Sequence, residues 1–241
     1  MSIFDLIIID PRKIALEDVF FSDANKAILE QVIKEHRHID ALRQYELPVD
    51  NKILLHGQSG CGKTTTAKAI AAALGKSIVI LNLSTLVSSK LGETSHNLKT
   101  VFDKAIRDKA VLFLDEFDQI GKLRSTDDHD SGEMRRLVNT LLQLVDYFPQ
   151  DSMLVCATNF YDLIDPALLR RFQLKLKYEL PGQEMLDLYY EKKLERFPEH
   201  LRNLPRKYDI SYAEAEDYIN TTMKGRIIQE LETAALELAS A

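Results

Sequence analysis

Cysteine is nearly absent from this sequence. Its 241 residues hold two, Cys61 and Cys156, 95 positions apart and in no CxxC or Cys/His spacing. That excludes a disulfide framework, gives no zinc site and suits a reduced, cytoplasmic setting. A basic excess is also missing: 37 acidic side chains against 31 basic leave a net charge of -6, so bulk electrostatics will not hold the chain on a polyanion such as DNA. Long apolar runs are lacking as well. Leu6 to Ile9 is closed by Asp5 and Asp10 with no basic residue before it, too short for a signal peptide or a membrane span. No later stretch approaches the roughly 18 apolar residues that a spanning helix needs, and a soluble protein is expected. There is no internal repeat and no low-complexity tract, only a polar loop at Ser125 to Gly132. What is present, 45% hydrophobic and 28% charged residues, suffices for the core of one large domain or two unequal ones.

Periodicity then orders the chain. From Ala24 to Leu42, residues Ile28, Val32, Ile33, Ile39 and Leu42 recur at helical spacing, which predicts one amphipathic helix. Short β-rich runs follow at Lys52 to His56, Ser77 to Leu83, Val111 to Asp115, Met153 to Thr158 and Leu174 to Leu180, with helical segments between. This alternation reads as an α/β fold, a parallel sheet with helices on both faces. Met134, Leu137, Val138, Leu141, Leu142 and Val145 form the buried stripe of one covering helix. After Pro181-Gly182 no strand-like run remains. Ser211-x-x-Glu214 reads as a capping box starting one helix, and Gly225 as the break before a last helix. The organisation expected is a short arm over 1–15, an α/β domain over 16–182 and an all-helical domain over 183–241.

Three of the nine glycines fall within Gly57-Gln58-Ser59-Gly60-Cys61-Gly62-Lys63-Thr64, a G-x-x-x-x-G-K-T pattern between a strand and the helical segment Ala67 to Leu74. Backbone N–H groups converge on phosphate oxygens only where the chain turns tightly without Cβ atoms in the way, and the following helix adds the positive end of its dipole. Lys63 would sit on the β- and γ-phosphates and the Thr64 hydroxyl on Mg²⁺. Thr65 completes the nucleotide-binding set. Val111-Leu-Phe-Leu-Asp115-Glu116 brings two carboxylates out at the C-terminal end of a buried strand, where ligands of open α/β sheets collect. Asp115 can hold Mg²⁺ through its water shell, and Glu116 can orient and deprotonate an attacking water. The strand Met153 to Thr158 ends at Asn159, whose amide can reach a γ-phosphate or that water.

These segments, with Asp115-Glu116-Phe-Asp118, Ala157-Thr158-Asn159 and Asp165-Pro-Ala-Leu-Leu-Arg170-Arg171-Phe172, in this order and spacing, resemble the AAA ATPases of the AAA+ group from about Leu16 to the C-terminus. The resemblance implies a P-loop NTPase with a five-stranded parallel sheet flanked by helices and a small helical lid, binding ATP and Mg²⁺ and working as a ring, usually of six. It makes Asn159 similar to sensor 1. Arg170 and Arg171 look like arginine fingers that reach the nucleotide of a neighbouring subunit, but the family usually separates its two arginines, so which is the finger stays open. It also suggests Arg226 for sensor 2 and Val19 and Phe20 for the adenine pocket. Ser88 to Thr94 resembles the first pore loop, with Lys90 where relatives carry an aromatic residue and Leu91 beside it; a surface loop is the alternative.

His36-x-His38 on a helix turns its rings apart, and Asp127-Asp-His-Asp130 and Arg202 to Lys207 read as solvated charge, so none of these marks a site. The function expected is Mg-dependent ATP hydrolysis coupled to remodelling of a protein partner, which could include a separately encoded protease. Substrate choice is expected to come from the short arm, surface loops or another polypeptide. A clamp or helicase loader shares this core, but no basic channel stripe or added DNA-binding domain is seen, and a GTPase lacks its NKxD motif.

Overall fold

The computed structural model describes residues 7–8, 13–88, 94–122 and 131–240. The chain folds as two compact units. One comprises the residues up to Gly57 together with Lys63–Tyr178, and the other Gln58–Gly62 together with the residues from Glu179 on. Lys90, Leu91 and Asp127 to Asp130 lie outside the described residues.

In the first unit the strands are β1 (Ile7–Ile8), β2 (Lys52–Gly57), β3 (Ile78–Asn82), β4 (Val111–Asp115), β5 (Met153–Thr158) and β6 (Leu174–Tyr178), in the sheet order β1-β3-β4-β5-β2-β6. Strands β2 to β6 are parallel and form the five-stranded sheet that the sequence alternation implies. The sheet has a sixth member. β1 pairs antiparallel to β3, with Ile7 opposite Leu81 and Ile8 opposite Ile80. A four-residue apolar run carries no alternation from which a strand could be read, so only the pairing reveals it.

Every residue of β5 is buried, as a central strand covered on both faces requires, and this is why its sequence reads as one apolar run. The edge strand β6 instead alternates: Leu176 and Tyr178 point into the protein while Lys175 and Lys177 are exposed. Lysines on an edge also discourage pairing with a foreign strand. The core joins Leu54, Leu112, Leu114 and Leu154 of the sheet to Leu98, Val101 and Phe102 of α5 (Thr94–Arg107) and to Leu137, Val138, Leu141 and Val145 of α7 (Ser131–Asp146). The remaining helices of this unit are α1 (Asp23–Arg37), α2 (Ile39–Gln44), α3 (Lys63–Ala73), α4 (Leu83–Ser88), α6 (Gln119–Lys122) and α8 (Pro166–Leu169). α1 and α2 replace the single helix expected over Ala24 to Leu42. His38 leaves helical dihedrals at φ -112° and ψ 21°, and one such residue bends the axis without erasing the apolar period on which the expectation rested.

In the second unit α9 (Gln183–Leu194) packs Leu186, Tyr189, Tyr190 and Leu194 in the same small core as Ala215, Ile219 and Met223 of α10 (Tyr212–Ser240). The contact is reinforced by the Tyr189 ring 4.9 Å from that of Tyr212 and by Lys193 Nζ donating to Glu216 Oε1 at 2.8 Å. The capping box forms as read: Ser211 N–H donates to Glu214 Oε2 at 2.8 Å, and Glu214 N–H returns a bond to Ser211 Oγ at 3.3 Å. Gly225 does not end the helix. α10 runs through it for 29 residues, because a glycine inside a helix costs only about 1 kcal/mol relative to alanine and nothing next to it forces a stop.

Candidate active site

The sheet order decides which sequence segments meet. β5 lies between β2 and β4, with His56 opposite Thr158 on one side and Leu114 opposite Cys156 on the other. All three strands run the same way. Gly57, Asn159 and the pair Asp115-Glu116 therefore emerge from one end of the sheet, within two strand spacings, roughly 10 Å.

Asp115 closes β4, and its Oδ2 accepts from Thr64 Oγ1 at 3.4 Å, Thr64 being in the first turn of α3. Two hard oxygen donors from different elements thus converge, the set that Mg²⁺ takes together with phosphate oxygens and water. Burial pushes the Asp115 carboxyl above the ordinary carboxylate range, partly offset by the Glu116 N–H at 2.9 Å from Oδ1 and by the Thr64 hydroxyl. A cation beside it would favour its charged form. Lys63, nearly buried, donates to the Gly57 carbonyl at 2.8 Å. Gly57 stands at φ 124°, and a Cβ there would run into the Tyr178 carbonyl of the neighbouring strand, so no other residue fits. Thr65 follows in the same helical turn as Thr64.

Glu116 adopts a left-handed backbone at φ 53°, a conformation that non-glycine residues rarely hold without restraint from their surroundings. The restraint is local. Phe117 N–H donates to the Ala157 carbonyl at 2.8 Å, and Gln119 N–H to the Glu116 carbonyl at 2.9 Å. Asn159, just past β5, is exposed.

The two adjacent arginines diverge. The Asp165 carboxylate caps α8 by accepting the Ala167 N–H at 2.6 Å, and Pro166 fits its first turn. Arg171 then folds back on its own unit, with Nε at 2.7 Å and Nη2 at 2.9 Å from the two oxygens of Asp146 and Nη1 at 2.7 Å from the Ala167 carbonyl. Arg170, at the C-cap of α8, is exposed, and no bond of its side chain to another described residue is seen. Nothing in the spacing separated the two, because the partner of Arg171 lies 25 residues upstream.

Val19 and Phe20 follow a 3₁₀ turn, Leu16–Asp18, and both are half-buried. That turn shares a groove of about 550 Å³ with Arg37, Ala72 and Ala73, at the opposite end of α3 from Lys63.

In the second unit, which includes Gln58, Ser59, Gly60, Cys61 and Gly62, Gly60 meets the start of α10. The Gly60 carbonyl accepts the Ala213 N–H at 3.1 Å, and a Cβ on Gly60 would sit 2.6 Å from Ser211 Oγ. The capping box was legible in sequence; its seat on this glycine was not. Arg226 stands apart from this contact. It lies 13 residues beyond Ala213 on one continuous helix, about 20 Å at 1.5 Å per residue, and its Nη1 donates to the Leu201 carbonyl at 2.7 Å.

The model of the ATPase family associated with various cellular activities (AAA) matches residues 53–180. An uncharacterized AAA family ATPase of Sinorhizobium fredii is 36% identical over 215 residues, covering 88% of this chain and 65% of its own length. Proteasome-associated ATPases of Nocardia farcinica and Streptomyces coelicolor are 32% and 30% identical over 75% and 84% of this chain, but over only 37% and 38% of theirs. The chain thus spans just under two thirds of the first relative's length and less than two fifths of the others'. With over half of its residues matched by that family and its oxygen and lysine donors gathered at the C-terminal end of the parallel sheet, the chain belongs to the AAA ATPases.

Proposed function

We propose that this chain hydrolyses ATP with Mg²⁺ and acts as one subunit of a ring, with Arg170 serving the neighbouring subunit's nucleotide. The observation that carries this reading is the convergence of Thr64 Oγ1 on Asp115 Oδ2 at 3.4 Å, with Glu116 next in the chain. In it Lys63 holds the β- and γ-phosphates, backbone N–H groups of the loop from Gly57 to Thr65 hold the rest of the triphosphate, and Thr64 and Asp115 hold the cation. Bound Mg²⁺ would neutralise charge developing on the phosphoryl oxygens. Glu116 takes the proton of the attacking water, Asn159 orients that water, and Val19 and Phe20 line the adenine side. The structure favours Arg170 over Arg171 as the finger, since Arg171 is already committed to Asp146. Arg226, bound to Leu201, has no part in this scheme.

The proteasome-associated relatives support a protein, rather than a nucleic acid, as the object of the work. Remodelling or unfolding of a protein partner by a hexameric ring is therefore the finer reading, consistent with a formal charge of -6.

Glu116→Gln should lower turnover by about 10²- to 10⁴-fold while ATP still binds. Arg170→Ala should cost on the order of 10³-fold, the scale of an arginine finger. Because the two lesions fall on opposite sides of a subunit boundary, mixing the inactive variants should restore part of the activity in reassembled rings. If mixing restores none while each variant still binds nucleotide and assembles, the arginine does not act in trans.

A further inference from the structure

One buried polar contact at the proposed site has no part in holding nucleotide. Asp118 and Thr158 are 3% and 1% exposed, and Thr158 Oγ1 donates to Asp118 Oδ1 at 2.9 Å. The same hydroxyl oxygen accepts the Phe160 N–H at 3.0 Å. One residue earlier on each side, Phe117 N–H donates to the Ala157 carbonyl at 2.8 Å. The first and last of these bonds span the gap between the segment leaving β4 and the segment leaving β5, and the second closes the turn around Asn159 within the latter. On the first segment the residue just before the clasp is Glu116, in its left-handed conformation. On the second, the residue enclosed between Thr158 and Phe160 is Asn159. Phe117, fully buried, anchors the clasp further with its ring 5.5 Å from Phe172 at 88°.

We propose that Asp118 and Thr158 are positioning residues for hydrolysis, a hydroxyl–carboxylate clasp that fixes the Glu116 carboxylate and the Asn159 amide relative to one another. The inference rests on the ATPase reading above and deepens it. A left-handed glutamate would relax toward ordinary backbone space if its neighbours let go, and its carboxylate would leave the place from which it can take a proton. Asn159 shares its anchor with Glu116, so the two groups that address the attacking water move together or not at all. Misplacement of about 1 Å at such a site costs on the order of 10²-fold in rate. A buried carboxylate deprived of a donor gives the clasp a reason to stay closed.

The test is a comparison of wild type, Thr158→Val, Thr158→Ser and Asp118→Asn in steady-state ATP turnover, with nucleotide affinity measured separately by calorimetry. Thr158→Val keeps shape and loses the hydroxyl. It should lower kcat at least 10-fold, leave KM and nucleotide Kd within about 3-fold, and be rescued by Thr158→Ser to within about 3-fold of wild type. In a Glu116→Gln background Thr158→Val should add little, because both act on one step. Should Thr158→Val fail to fold, Asp118→Asn keeps the volume and weakens the clasp, and a kcat loss of about 3-fold or more with unchanged KM is expected. Wild-type kcat in either folded variant, or a loss that Thr158→Ser does not rescue, or full additivity with Glu116→Gln, overturns the clasp while leaving the ATPase reading intact. A wild-type chain that turns over no Mg-ATP removes both, and that result is read before any variant is made.

Discussion

His36 shows how far one residue can depart from what its neighbourhood in sequence suggests. It lies on the buried side of α1, with its Nε2 enclosed and unpartnered among the described residues. Burial, and after it the positive charge of Lys76, lowers its pKa to about 4 from the ordinary 6.5. The folded chain therefore keeps it neutral where the unfolded chain protonates it. Its contribution to stability is whole above about pH 6.5 and is lost progressively as the pH falls toward 4, up to about 3 kcal/mol in total. His36→Leu removes that proton uptake, and its urea midpoint should fall less than that of wild type between pH 7 and pH 5. Equal falls would mean that other groups carry the acid sensitivity. The same distinction between a residue and its surroundings separates Arg170 from Arg171: they are adjacent in the chain, but only Arg171 has Asp146 beside it in space. Their difference was illegible in the sequence because ion pairing across 25 residues leaves no local pattern.

At the scale of elements, the strands were the most legible, since continuous apolar runs such as Val111 to Leu114 leave few alternatives when both faces are covered. Helix ends were less so. The capping box at Ser211 was readable because its hydrogen bonds are local. The fate of Gly225 was not, because whether a glycine stops a helix or rides within it depends on what the chain does next. Gly225 sits in the helical interior of α10, and a Cβ added there meets nothing within 4 Å. Gly225→Ala should therefore stabilise the fold by about 0.5–1 kcal/mol through the lost freedom of the unfolded chain and the better helix propensity, raising the melting temperature by a few degrees. A lower melting temperature would mean that the helix needs the glycine for a reason outside this chain.

At the scale of the molecule, no helix among the described residues is long and apolar enough to cross a membrane, and the sequence carries a net charge of -6. A ring that uses Arg170 in trans should assemble in a nucleotide-dependent way. Light scattering on Glu116→Gln with Mg-ATP should give a multiple of the monomer mass, and a monomer at micromolar concentration would leave Arg170 without a target. Turnover should rise with an unfolded polypeptide and stay flat with DNA at low salt; a salt-sensitive rise with DNA would turn the reading toward nucleic acid.

By itself the sequence determined the parallel α/β core and singled out the glycine loop Gly57 to Thr64, Asp115 and Glu116 as the candidate site. Each of these is written in a short segment whose local chemistry has few other uses. Tertiary structure alone decided the antiparallel β1, the commitment of Arg171, the distance of Arg226 from the loop, the seat of Gly60 on the first turn of α10 and the clasp between Asp118 and Thr158. Those depend on hydrogen bonds and pairings between residues far apart in the chain, and such contacts exist only once the sheet has set β4 beside β5 and the helices have closed on one another.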